Sequence, residues 1–271
     1  MKFQLKALAV ALALAAVAVP AQAAIDLNNT GNGSFILTVL DKVANVSATF
    51  DLGKNYLDFN QVAAAGAVSS VLASGTSFTW DLAGNADYSA AWTSFLSAST
   101  LANTTYAILG GDNLGSGAGS RGYITTYAGP GASTTTTSLL TALGNADTFN
   151  TNIAFGATGP SNMNTAVNGA AFSTPATVFY GSKKNNGTGV VAEGAIGTSL
   201  GVVQSVSAAA NLSPVSNTLF GNGAQFTLAS NGALSYTTNA VVTPPVPEAD
   251  TWAMMLLGLG FMGFVARRRK V

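Results

Sequence analysis

The sequence contains no cysteine and no histidine, and only 8% of its 271 residues are charged, against roughly 25% in an average globular protein. Without cysteine the chain has no disulfide framework and no thiol nucleophile. The lack of histidine also excludes a Ser-His-Asp triad and the usual zinc sites. We therefore expect no metal, no cofactor and no catalytic residue, and we expect that the protein is not an enzyme.

The formal net charge of zero conceals an uneven distribution along the chain. Basic residues gather at the two ends, whereas residues 24–246 carry nine acidic side chains against five basic ones, a net charge of about −4. A nucleic-acid-binding protein would show a basic stripe or patch. We therefore expect no nucleic-acid partner. The remaining composition is rich in Ala, Thr, Ser, Asn and Gly, as is common in secreted β-rich proteins.

Residues 1–23 have the three parts of a secretory signal peptide. A basic start precedes an unbroken apolar run at residues 7–19, and Pro20 ends that run. The run is too short to span a hydrocarbon core of ~30 Å comfortably as an uncleaved anchor. The small residues that follow form an A-x-A cleavage site. The sequence thus predicts export through the Sec translocon and cleavage by signal peptidase, at a site made by Ala21, Ala23 and Ala24.

The C-terminal segment consists of a proline-rich linker, an apolar helix and a basic block. The linker at residues 243–250 should be stiff and extended, because proline fixes φ and disfavours a helical predecessor. The apolar run at residues 251–266 predicts a transmembrane helix of ~24 Å, which is short for a hydrocarbon core of ~30 Å. The tail at 267–271 should stop transfer and stay cytoplasmic. Its charged residues are Arg267, Arg268, Arg269 and Lys270.

This arrangement resembles the PEP-CTERM sorting signal of Gram-negative bacteria over residues 246–270. Pro247 and Glu248 match the first two positions of the Pro-Glu-Pro motif, and Ala249 stands where the family has a second proline. The resemblance implies that an exosortase, an integral-membrane processing enzyme, cleaves near this motif. It implies transient anchoring in the inner membrane, followed by release of the body to the cell surface or extracellular matrix.

Residues 24–242, between the two signals, are predicted to form a β-rich extracellular body. Short runs of β-branched and aromatic residues alternate with Gly and Asn turns. The run Ser230-Asn231-Gly232 predicts a tight hairpin between the last two strands. The predicted strands lie at 34–40, 45–52, 77–81, 105–109, 121–127, 176–180, 202–207, 224–229 and 234–238.

Two segments have apolar residues at helical spacing. Residues 87–96 group Trp92, Phe95 and Leu96, and residues 138–149 group Leu139, Leu140, Leu143 and Ala146. The predicted fold is therefore mainly β, a β-sandwich or jelly-roll-like body with a few short helices. A signal helix and a transmembrane helix should flank it. Surface loops are expected at 110–122, 129–138 and 181–189, where Gly, Ser, Thr and Asn dominate.

Few motifs in the body contain the residues of a binding or catalytic site. The glycine-rich residues 115–120 lack the Gly-Lys-Ser/Thr sequence and the following helix of a phosphate loop, so they predict a plain loop. Residues 110–113 offer calcium one Asp and one Asn, although it prefers six to eight oxygens; a lone site stays open. Two aspartate pairs have spacings that could serve glycoside hydrolysis, although such residues more often cap turns. They are Asp51 with Asp58 and Asp81 with Asp87.

Three hypotheses for the function remain. The first is a non-enzymatic structural protein of the cell surface or extracellular matrix, with exopolysaccharide as a candidate partner. The second is a carbohydrate-binding β-sandwich, in which exposed aromatic rings stack on sugars, although aromatic residues in strands more often belong to the core. The third is a hydrolase with two converging carboxylates. The candidate stacking residues are Trp80, Trp92, Tyr88, Tyr106, Tyr123 and Tyr127.

Overall fold

The structure is a computed structural model that describes residues 25–61, 70–115, 120–128, 139–141, 143–144, 146–147, 169–173, 192–207 and 215–240. The predicted signal peptide, the strand at 176–180, the loops at 129–138 and 181–189 and the chain from residue 241 lie outside these residues. The chain divides into two compact units, Met1–Asn239 and Ala240–Val271. The elements given below all belong to the first unit.

Within the described residues, eleven strands and a few short helices make up the body. The strands are β1 Ser34–Asp41, β2 Val46–Asn55, β3 Ser77–Asp81, β4 Thr104–Asp112, β5 Gly122–Tyr127, β6 Ala170–Ser173, β7 Gly194–Ala195, β8 Ser199–Ser207, β9 Val215–Leu219, β10 Gln225–Leu228 and β11 Ala233–Thr237. Helix α1 is Ser89–Ala98, and short 3-10 helices lie at Asn28–Thr30, Tyr56–Asp58, Ser70–Leu72 and Leu101–Asn103. Residues 139–141, 143–144 and 146–147 are helical and are named α2.

The strands form one antiparallel sheet in the order β3-β11-β10-β8-β5-β4-β1-β2-β6. Two further strands join its flanks, β7 beside β4 and β9 beside β8. Antiparallel strands need only short connections, and the predicted hairpin forms with Phe226 opposite Tyr236 and Leu228 opposite Leu234. The mainly β class is thereby confirmed.

The sheet curls so that strands from its two ends meet over one core. Trp80 on β3 donates its indole N–H to the carbonyl of Leu52 on β2, at 2.8 Å. Phe35 on β1 and Phe226 on β10 bring their ring centroids to 6.4 Å. Alternate residues of each strand point to the same face, so this face collects a large apolar core that α1 covers with Trp92.

The opposite face carries a second, smaller apolar cluster beneath α2. Leu139, Leu143 and Ala146 of α2 are buried there against the sheet. The prediction placed Leu140 on the same side, but its side chain is 38% exposed. Positions i, i+4 and i+7 share one side of a helix, whereas position i+1 lies about 100° away. On α1, Leu96 is likewise 37% exposed and lies apart from its buried neighbours.

The predicted loop at 110–122 is partly wrong, because β4 continues to Asp112. Gly110 and Gly111 are buried strand residues that pair with Ile124 and Tyr123 of β5. A side chain at Gly110 would overlap the ring of Phe35. Close packing against a ring, and not loop formation, accounts for glycine at this position. The short strands β6, β7 and β9 were not predicted.

Replacing Gly110 with alanine should lower the free energy of unfolding by about 1–3 kcal/mol, the usual cost of overpacking a core. The Phe35 ring cannot move away easily, because it stacks on Phe59 with centroids 4.6 Å apart. Gly221→Ala is the matched control, since nothing lies within 4 Å of a Cβ there. Urea unfolding of both variants measures the effect, and equal stabilities would contradict the packing argument.

Candidate functional site in the tail and the polar clusters of the body

The body remains hydrogen-bonded up to the residue where the C-terminal unit begins. Strand β11 is an interior strand between β3 and β10. Beyond it, the N–H of Thr238 donates to Thr76 and the N–H of Asn239 donates to Asn222, at 3.0 and 2.7 Å. Eight residues then lead from Asn239 to Pro247, and eight extended residues cover at most about 28 Å of chain. The folded body therefore ends a short length of chain before the predicted sorting motif.

The predicted signal residues lie outside the described part of the chain, and they stay predictions. They are Ala21, Ala23 and Ala24 at the cleavage site, Pro247, Glu248 and Ala249 at the sorting motif, and Arg267, Arg268, Arg269 and Lys270 at the membrane stop. The predicted transmembrane helix at 251–266 falls there too. Among the described residues, no helix has both the length and the apolar character that a membrane span requires.

The first described residues after the predicted cleavage site are packed into the body. Ile25 is buried in the smaller apolar cluster. The N–H of Asp26 donates to the hydroxyl of Ser34 at 3.0 Å, and the side chain of Asn28 is fully buried. The chain thus enters the fold almost immediately after Ala24.

Asp51 and Asp58, the first candidate carboxylate pair, serve different local structures. Asp51 is 2% exposed, and it accepts hydrogen bonds from the N–H of Gly53 and the hydroxyl of Ser34, at 3.0 and 3.2 Å. Burial raises the pKa of Asp51 to about 6, the nearby Asp26 carboxylate adds to the rise, and these two hydrogen bonds oppose it. Asp58 is exposed and accepts the N–H of Asn55 at 2.8 Å, which caps a 3-10 helix.

Asp81, from the second candidate pair, also has a turn-forming role. Its carboxylate accepts the backbone N–H groups of Ala83 and Gly84, at 3.1 and 2.8 Å. Aspartate commonly stabilises turns in this way. Its partner in the predicted pair, Asp87, is partly buried beside α1. The hydrogen bonds of Asp81 are thus those of a turn residue.

The residues of the candidate calcium turn form part of a polar cluster that the sequence did not predict. Asp112 accepts the N–H of Leu114 at 2.9 Å, and the side-chain amide of Asn113 donates to Asp147 on α2. Burial raises the pKa of Asp147, while hydrogen bonds from Asn113 and Asn28 and the charge of Arg121 oppose the rise. No group of three acidic side chains that could hold a metal ion occurs in the described ranges. The sequence reading missed Asp147 because 34 positions separate it from Asn113.

Five of the six aromatic residues considered for sugar stacking belong to the buried interior, which is the alternative that the sequence favoured for aromatic residues in strands. Trp80, Trp92, Tyr88, Tyr106 and Tyr123 are each at most 5% exposed. The hydroxyl of Tyr106, for example, donates to the carbonyl groups of Phe226 on β10 and of Thr198 before β8. Of the six, Tyr127 alone is partly exposed.

The comparisons with known proteins identify the C-terminal segment. Residues 245–270 match the family model of the PEP-CTERM protein-sorting motif. No curated protein and no solved structure matches the chain. The motif indicates an exported protein that is held transiently at a membrane and processed at its C-terminus by an exosortase-like enzyme. The chain therefore carries a PEP-CTERM protein-sorting signal at residues 245–270.

Proposed function

We propose that this protein is a non-enzymatic structural component of the cell surface or the extracellular, exopolysaccharide-containing matrix. The match of residues 245–270 to a sorting motif is the observation that carries the proposal. A signal of this kind directs export of the protein that carries it, and the exported part of this chain is a β-rich body. Export begins at the Sec translocon and signal peptidase, which act on residues 1–23.

The chemistry of the body supports a structural role. Several of its carboxylates hold the backbone in place, as Asp41 does by accepting N–H groups from Val43, Ala44 and Thr100. Burial acts to raise the pKa of Asp41, but these three hydrogen bonds outweigh it and lower the pKa. The few charges leave a surface of hydroxyl and amide groups, which suits a hydrated polysaccharide environment.

Carbohydrate binding is the second candidate function. Five of the six candidate stacking residues are buried. The support for this function therefore comes from the sixth, Tyr127, and from the polar residues that accompany it on the outward face of the sheet.

Changing the sorting motif tests the proposed function. In the double variant Pro247→Ala/Glu248→Ala, we expect the body to stay in the membrane fraction with its C-terminal segment attached. The wild-type body should leave that fraction with a lower intact mass, because the enzyme removes the tail. Pro244→Ala is the matched control, since this proline immediately precedes the matched residues, and it should behave as the wild type does.

Intact mass also reports the N-terminal cleavage, which should leave Ala24 as the first residue. If the double variant and the wild type share one fraction and one mass, the sorting proposal is wrong. If the wild-type body is processed but is found only in the periplasm, the assignment to surface or matrix is wrong.

A further inference from the structure

We propose that the outward face of β3, β11, β10, β8 and the end of β5 binds an uncharged polysaccharide chain that lies across the strands. This inference rests on the proposed function, because it names the matrix component that the body would contact. Two rows of side chains on neighbouring strands carry the argument.

The strand register defines which residues share this face. Phe226 and Tyr236 stand opposite each other and point into the main core. Trp80 on β3 and Leu200 on β8 also point into that core. Because successive residues of a strand point to opposite faces, the residues beside these four point outward.

The first row consists of hydroxyl groups on four adjacent strands. In register across the sheet they are Thr79, Ser235, Thr227 and Ser199. Thr79 and Ser199 are exposed and the other two are partly exposed. The hydroxyls of Ser199 and Thr227 lie 2.7 Å apart. This contact joins the hydroxyl groups of β8 and β10 directly, within a row that the register continues to β11 and β3.

The second row runs parallel to the first and ends at an aromatic ring. In register its residues are Ser77, Thr237, Gln225, Gly201 and Tyr127. A Cβ on Gly201 would lie 2.6 Å from Cζ of Tyr127, so the ring occupies the space that a side chain at Gly201 would take. Tyr127 is partly exposed, and its ring therefore covers the backbone of β8 while part of it faces solvent.

The charge of the face selects the chemical class of the ligand. Asp81, at one end of β3, is the single charged residue among the outward positions of these strand segments. Among the described outward positions of these strands there is no lysine or arginine, so the two rows themselves offer an anionic polymer no counter-charge. The net charge of about −4 over residues 24–246 also repels anionic chains. Sugar hydroxyls can both donate to and accept from Ser, Thr and Gln, and a pyranose ring can pack on Tyr127.

The dimensions of the face suit an extended ligand. The second row crosses five strands, and four inter-strand spacings of about 4.8 Å extend over about 19 Å. When both rows are taken together, each of the five strands contributes a side-chain hydroxyl or amide group, and the ring of Tyr127 marks one end. A short oligosaccharide segment of a longer chain can therefore contact several strands at once.

Affinity electrophoresis of the protein recovered from cells that express the full-length gene tests this proposal. Dextran, a soluble β-glucan and hydroxyethyl cellulose serve as uncharged probes, and alginate serves as the anionic one. We expect at least one uncharged probe to retard the protein and alginate to have no effect. Tyr127→Ala should weaken binding about tenfold through loss of the ring, whereas Tyr127→Phe keeps the ring and should bind nearly as well as the wild type.

A second variant tests the hydroxyl row independently of Tyr127. Thr227→Val removes one hydroxyl and should also reduce retardation, whereas Thr218→Val removes an exposed hydroxyl on β9 and should not. Lack of retardation by every uncharged probe would overturn the proposal, as would retardation by alginate or unchanged binding by both Tyr127→Ala and Thr227→Val. None of these results bears on the cell-fractionation test, so a sorted protein that binds no glycan would refute this inference alone.

Discussion

Replacing Phe226 with alanine should lower the free energy of unfolding by about 3–5 kcal/mol, the range for removing a buried aromatic side chain. Phe226 is fully buried. Its ring lies between residues of both halves of the curled sheet, with centroids 4.9 Å from Tyr236, 5.8 Å from Phe59 and 6.2 Å from Trp80. Packed rings from β3, β11 and the residue after the 3-10 helix Tyr56–Asp58 limit how far the core can collapse into the space that the ring leaves.

Urea unfolding followed by tryptophan fluorescence measures this effect, because Trp80 is one of the neighbours of Phe226. Leu219→Ala is the control. It also removes an apolar side chain from a strand, but this side chain is 46% exposed. Substitutions on the surface usually change stability by no more than about 0.5 kcal/mol. A loss at Phe226 no larger than the loss at Leu219 would show that the aromatic cluster does not hold the two halves together.

Local sequence signals predicted the last hairpin and most strands. Asn231-Gly232 predicted the turn between β10 and β11, and Gly232 adopts a φ of 88°, which glycine tolerates without cost. The two helices were also found, since their apolar spacing is a local property. Each helix prediction places one leucine too many on the buried side of its helix. These residues, Leu96 and Leu140, are exposed in the structure.

The order of strands could not be read from the sequence, because it depends on contacts between distant residues. The hydroxyl of Tyr236, for example, donates to the carbonyl of Val71, 165 positions away. Strands β6 and β9 were missed because they are short and carry Ser, Ala and Asn as readily as a loop does. The sequence predicts a loop at Gly110, because no local rule distinguishes a turn glycine from one that packs under a ring.

The sorting tail could be recognised because its information is linear. A proline-rich linker, an apolar run and a basic block function in that order whatever the body looks like. The outward face that we propose to bind polysaccharide could not be recognised in the same way. Its members come from β3, β5, β8, β10 and β11, and only the register of the folded sheet brings Thr79 and Ser199 into one row.

The substitution Asp51→Asn should stabilise the protein at pH 7.5 and have little effect near pH 4. The pKa of Asp51 rises from its ordinary value of 3.8 to about 6 because the carboxyl is buried. The folded state therefore binds a proton more tightly than the unfolded state does. That contribution to stability is fully present below about pH 4 and is lost as the pH rises through about 6. At 1.36 kcal/mol per pKa unit, the loss amounts to about 3 kcal/mol.

Asparagine can occupy this site without the charge. Its carbonyl oxygen can accept the N–H of Gly53, as Asp51 does now. Its amide group can donate to the hydroxyl of Ser34, which at present donates to Asp51. The variant thus resembles the protonated form of the wild type at every pH. Its unfolding free energy should exceed that of the wild type by up to about 3 kcal/mol above pH 7.

Thermal or urea unfolding at several values between pH 4 and pH 8 measures the difference between variant and wild type. Taking this difference removes the contributions of other carboxylates, such as Asp41, whose lowered pKa acts in the opposite direction. Asp87→Asn is the control, because this residue is partly exposed beside α1. If the difference for Asp51→Asn does not change between pH 4 and pH 8, the buried carboxyl is not a source of pH dependence. A difference that grows as the pH rises through 6 would show that ionisation of the buried Asp51 carboxyl destabilises the folded body.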